Sequence, residues 1–103
     1  MGETLEGLGV GRYESVSTTL RSELARAIRS RNAAAMAVLR SALGALAAAS
    51  PEDTDQSMAR EVAARSAAAD HLDATARDLE AATARYQARY LSRLVFGTAD
   101  PPA

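Results

Sequence analysis

AAAMAVLRSALGALAAA, residues 33–49, reads as the central helix of a small bundle. Met36, Leu39, Leu43 and Leu46 recur at spacings of three, four and three. On a helix that rhythm places all four on one stripe. Ala35, Ala42 and Ala47 widen the stripe, and Arg40 is the only charge in the segment. A helix this apolar needs other helices packed against it.

The flanks supply them. Residues 15–30 predict a first helix with Ser15 or Ser17 as its cap and Val16, Leu20, Leu24, Ala27 and Ile28 on its inner face. A short turn around Ser30 to Asn32 follows, with Asn32 suited to cap the central helix. So short a connection implies an antiparallel helical hairpin. On the other side, Ser50-Pro51-Glu52-Asp53 both ends and starts a helix. Ser50 is the expected cap, Pro51 suits the first helical position, and the two acids suit the positive end of the helix dipole.

The third helix is predicted over 51–73, with Met58, Val62, Ala69 and Leu72 buried. Thr75-Ala76-Arg77-Asp78 has the form of a second capping signal, an acid three residues after a threonine. That breaks the chain near Ala74; a single helix continuing to Leu94 is the rival reading, since no glycine or proline interrupts it. The fourth helix is predicted over 76–95, with Leu79, Thr83, Tyr86, Tyr90 and Leu94 on one face, and Gly97 stopping it. The result is an all-α four-helix bundle of two helical hairpins, one domain over residues 15–96. Gly2, Gly7, Gly9 and Gly11 predict a flexible arm over residues 1–14, and Pro101 and Pro102 a loose tail over 97–103. The glycine-rich start is no phosphate loop: no strand precedes it, and no Lys-Ser or Lys-Thr follows.

Composition narrows the function classes. Of 103 residues, 48% are hydrophobic but only 4% aromatic, so the core is built largely of alanine and buries little area per residue. The balance of 12 basic and 13 acidic residues gives no overall excess of positive charge, and every basic residue is arginine. With no cysteine, disulfides, thiol catalysis and thiolate metal sites are excluded. No apolar run is long enough to span a bilayer. The first residues carry acids where a signal peptide carries basic residues, which favours a cytoplasmic location.

Few residues can carry chemistry. His71, the only histidine, stands in Asp70-His71-Leu72-Asp73 with no second histidine or cysteine to complete a metal or acid–base set. No nucleophile–base pair, metal set or cofactor motif is present, so the reading is non-enzymatic, with no cofactor, no metal and no evident small-molecule substrate. Arginines are the remaining candidates. Arg85, Arg89 and Arg93 recur every four residues along the fourth helix, with Arg77 two steps earlier, and Arg26, Arg29 and Arg31 cluster where the first helix ends. Such stripes can bind phosphates, although solvated charged faces are equally ordinary. Nine acids against six arginines from residue 52 to 100 favour the ordinary reading. Tyr86 and Tyr90 fit either a buried pair with hydroxyls at the rim or a base-stacking platform.

LRSELARAIRSRNAAAMAVLRSALGAL (20–46), AREVAARSAAADHL (59–72) and ARDLEAATARYQARYL (76–91) together resemble the YqeY-like family, in which a helix of alternating apolar and basic residues leads through a polar turn into a helix centred on L-x-x-L-R. The next two helices of that family carry an R-E-V-x-x-R core and end in a Tyr-Leu pair. The resemblance covers residues 18–92, the family's first helical domain. Thr75 and Ala76 stand near where the family usually has glycine, and Ser92 stands where it usually has proline. The family is similar to the helical tail of the B subunit of bacterial aspartyl/glutamyl-tRNA amidotransferase, a segment associated with tRNA recognition. The resemblance implies an accessory protein that binds tRNA or an amidotransferase subunit through the seven arginines above. From the residues alone, a helical protein–protein interaction module or a homo-oligomer joined by Ala-rich faces is the alternative.

Overall fold

Asn32 sets the joint between the first two helices. Its backbone is extended (φ −85°, ψ 90°), and its Oδ1 accepts the Ala35 N–H at 3.0 Å, satisfying one of the amides that a helix start leaves free. Just before it, Arg31 adopts a left-handed φ of 56°. That twist lets the Asn32 N–H reach the Ala27 carbonyl at 2.9 Å and the Arg31 N–H reach Ile28 at 3.2 Å, the paired closing bonds of a helix C-terminus.

A computed structural model describes residues 2–99, with side chains from Val10 onward. It comprises α1 (Gly2–Ser30), α2 (Ala33–Ala48), a short 3-10 turn (Pro51–Asp53), α3 (Thr54–Ala74) and α4 (Asp78–Phe96), with no strand among the described residues. The helices pair as two hairpins, α1 with α2 and α3 with α4, and the hairpins pack into the expected all-α bundle.

The α3–α4 joint repeats the first. Ala76 takes a left-handed φ of 59°, the Arg77 N–H bonds to Leu72 at 2.9 Å, and the Ala76 N–H bonds to Asp73 at 3.1 Å. This breaks the chain where the sequence suggests and overturns the single continuous helix. It also reassigns Thr75. Instead of capping the fourth helix, Thr75 closes α3, its hydroxyl within reach of the carbonyls of His71 (3.2 Å) and Leu72 (3.1 Å). Arg77 takes the cap position of α4 without a side-chain bond, so it lies before the helix rather than on its arginine stripe. Gly97 ends α4 in the left-handed region (φ 76°), as expected.

The α2–α3 joint differs in detail. Ser50 makes no side-chain cap, and Pro51 opens a 3-10 turn rather than the α-helix itself. Thr54 takes over: its buried hydroxyl donates to the Pro51 carbonyl at 2.7 Å and α3 begins there.

The glycine-rich stretch is helical, because α1 begins at Gly2 rather than near residue 15. Tertiary contacts override local glycine cost at its inner end. Arg12 donates from Nε to Asp55 and from its terminal nitrogen to the Val95 carbonyl, both at 2.7 Å, and Tyr13 packs on the core. The last four residues of the predicted tail, 100–103, lie outside the described residues.

The core joins all four helices through Leu20, Leu39, Leu46, Met58, Val62 and Leu91, each 0–1% exposed. Burying a side chain of this size contributes about 1.5–3 kcal/mol. On α2 the buried line is Ala35, Val38, Leu39, Ala42 and Leu46, with Met36 and Leu43 half-buried at its edge. Ile28, expected inside, is 50% exposed.

The largest correction falls on α4. Its inner face is Ala81, Ala84, Gln87, Ala88, Leu91, Ser92 and Val95, not the line from Leu79 to Leu94. The helix is turned by roughly a third of a turn from the expected setting. Leu79 is 87% exposed and Tyr86 41%. Small side chains win the inward position because they let α3 and α4 approach closely and interdigitate at high density. The tyrosines, with hydroxyls that need partners, are left at the outer seam.

Candidate functional site

Two adjoining clefts share Tyr90, one between α1, the start of α2 and α4, the other on the outer face of α4. One, of about 460 Å³, is lined by Glu23, Arg26, Ala27, Arg29, Ser30, Asn32, Ala35 and Tyr90. The other, of about 410 Å³, is lined by Ala82, Arg85, Tyr86, Arg89, Tyr90 and Arg93. Two arginine clusters that are more than fifty residues apart in the chain therefore meet around one aromatic pair.

The rotation of α4 builds this arrangement. Tyr86 and Tyr90, four residues apart on the helix, stack with ring centroids 5.6 Å apart and planes 12° from parallel. Each ring is tethered by its hydroxyl. The Tyr86 oxygen accepts from Asn32 Nδ2 at 3.0 Å, and the Tyr90 hydroxyl donates to Glu23 Oε2 at 3.0 Å. Asn32 thus uses one end of its amide to cap α2 and the other to hold Tyr86. Burial first, then the hydrogen bond and negative charge of Glu23, push the Tyr90 phenol up to about 12. Tyr90 is half-buried, so its phenol stays neutral across the physiological range.

Gln87 anchors α4 from the inner side. It donates to the Ala34 carbonyl at 3.0 Å and accepts from Arg65 at 3.5 Å, fixing α4 against α2 and α3 directly behind the tyrosines. Arg85 is engaged as well. It bonds Asp73 and lies 3.7 Å from Asp70, and the Asp73 hydrogen bond raises its pKa further. Arg26 lies 3.6 Å from Glu23.

Of the seven candidate arginines, five line the clefts: Arg26, Arg29, Arg85, Arg89 and Arg93. Arg29, Arg89 and Arg93 have no carboxylate partner among the described residues. Arg31 and Arg77 line neither cleft; Arg31 forms the α1–α2 turn and Arg77 pairs with Glu80 at 3.6 Å. Three arginines without a carboxylate partner therefore line these two clefts.

Sequence reasoning missed Glu23 and Asn32, which position the tyrosines. Asn32 is legible only as a helix cap, and Glu23 carries no signal because its partner is 67 residues away. His71 is exposed, and no group of three His, Cys, Asp or Glu among the described residues is placed to hold a metal. Among those residues no helix is long and apolar enough to cross a membrane. Compared with protein-family models, curated proteins and solved structures, the chain finds no match.

Proposed function

We propose that this is a non-catalytic, cytoplasmic accessory protein that binds RNA, with tRNA as the expected partner, through the α1–α4 seam. The observation that carries this reading is the convergence of Arg26 and Arg29 with Arg89 and Arg93 around the partly exposed Tyr86–Tyr90 stack. Arg29, Arg89 and Arg93, which no carboxylate neutralises, are free to replace counterions on a phosphate backbone. The resemblance to the YqeY-like family points the same way and adds an amidotransferase subunit as a possible second partner. Asp73 and Asp70 already satisfy Arg85, which therefore serves the α3–α4 hairpin more than the ligand.

The test is binding of bulk bacterial tRNA at low and at physiological salt, with wild type and with the Arg89→Ala/Arg93→Ala variant. Binding should weaken steeply with salt, and the variant should lower the salt slope by about one per arginine removed. An unchanged slope removes these two arginines from the interface. No binding at low salt refutes the RNA reading and favours the alternative, a protein–protein interaction module or homo-oligomer. Exposed Ile28 and Leu79 support that alternative.

A further inference from the structure

We infer that Tyr86 is a docking platform for an unpaired nucleotide base, so that the seam selects single-stranded or looped nucleic acid over duplex. The inference rests on the RNA reading above and specifies which form of nucleic acid the site takes.

Three observations carry it. First, Tyr86 is 41% exposed. The stripe Leu79, Thr83, Tyr86, Tyr90 has the right period for a core face, yet Ala81, Ala84 and Ala88 occupy that position. Second, the ring is held still. It stacks on Tyr90 from one side, and Asn32 fixes its hydroxyl. An aromatic that is immobilised before binding loses little further freedom when a partner stacks on it. Third, the surroundings are those of a nucleotide rather than of an apolar peptide. The cleft wall beside Tyr86 is the small Ala82, which leaves room at the ring, and Arg89 and Arg93 flank the pair.

An occupant that fits must present a flat π-face and carry negative charge a few ångströms to the side. An unpaired nucleotide meets both conditions. A duplex presents phosphates, but its base faces are already stacked on one another and cannot reach Tyr86 without unstacking. Base–aromatic stacking tolerates any base, so the site should show little sequence preference.

The experiment uses the full chain and a labelled mixed-sequence single-stranded RNA of about 12 nucleotides, a length within the usual site range. The same RNA annealed to its complement serves as the duplex probe. Affinities are read by anisotropy at one fixed salt. Stacking is read by quenching of the tyrosine fluorescence, which is usable because the chain has no tryptophan. The single strand should bind more tightly than the duplex and quench the signal. Tyr86→Leu, which keeps an apolar side chain, should lose at least about fivefold for the single strand and leave duplex affinity unchanged. Tyr86→Phe, which keeps the ring, should stay within about twofold of wild type. Equal affinity for both probes, or a Tyr86→Leu variant that binds the single strand normally, overturns the base platform while leaving phosphate binding intact. Failure of both probes and of tRNA at low salt overturns the RNA reading as well.

Discussion

Replacing Ala76 by glycine should make this protein more stable, against the usual effect of adding glycine to a helical protein. Ala76 holds φ at 59°, where an L-residue's Cβ crowds the neighbouring carbonyl at about 1–2 kcal/mol. Glycine escapes that penalty but adds about 0.4–1 kcal/mol of freedom to the unfolded chain. The net expectation is a gain of about 0.5–1 kcal/mol. For a domain of about this size, each kcal/mol corresponds to about 4–8 °C in melting temperature. The closing bonds from Arg77 to Leu72 and from Ala76 to Asp73 use only backbone atoms and survive the change. The control is Ala68→Gly, at an exposed position inside α3, which should cost about 1 kcal/mol. Urea unfolding followed by far-ultraviolet circular dichroism gives both values, with an unchanged denaturant slope required for comparison. Two shifts in the same direction, or a destabilised Ala76→Gly, would refute the left-handed assignment and the turn built on it.

Leu39→Ala should cost about 2–5 kcal/mol, because Leu39 is fully buried, whereas Leu79→Ala should stay within about 0.5 kcal/mol at 87% exposure. Equal losses in thermal melts would return Leu79 to the core and undo the rotation of α4. Alkaline titration tests the Tyr90–Glu23 contact. Its folded phenol ionises near 12, above the ordinary value of 10.0, so the folded state holds that proton more tightly than the unfolded one. The stabilisation is fully present below pH 10 and is lost as pH rises toward 12. Tyr90→Phe should flatten the loss over that interval, measured as denaturation midpoint against pH.

The joints were the most legible part of this chain, and the setting of α4 the least. Asn32, Gly97 and the break near Ala74 act through local backbone geometry, which a few adjacent residues determine. Helix rotation is a competition between faces, and here the bulkier stripe lost. Leu79, Tyr86 and Tyr90 each carry far more apolar area than Ala81, Ala84 or Ala88, yet alanine lets two helices touch along their length. Alanine-rich proteins hide their cores for this reason. The start of α1 was obscured by the opposite effect, a local glycine penalty offset by distant contacts of Arg12 and Tyr13. Of the site, the arginines were visible as periodic stripes; their meeting across the seam was not, because it depends on the packing of one hairpin against the other.

That seam has a consequence for how binding and folding are linked. Each hairpin closes on itself through contacts near in sequence, which cost little loop entropy and form early. The bonds that join the first hairpin to α4 span 54 to 83 residues and require both hairpins to be in place. A ligand that reaches both Arg29 on α1 and Arg89 on α4 recognises only the assembled pair. Its binding energy therefore acts as a clasp between the hairpins, adding about 2.7 kcal/mol to stability when present at a hundred times its dissociation constant. In an alanine-rich bundle with little buried area to spare, a ligand bound across the two hairpins would add to the equilibrium stability of the whole fold rather than of either half.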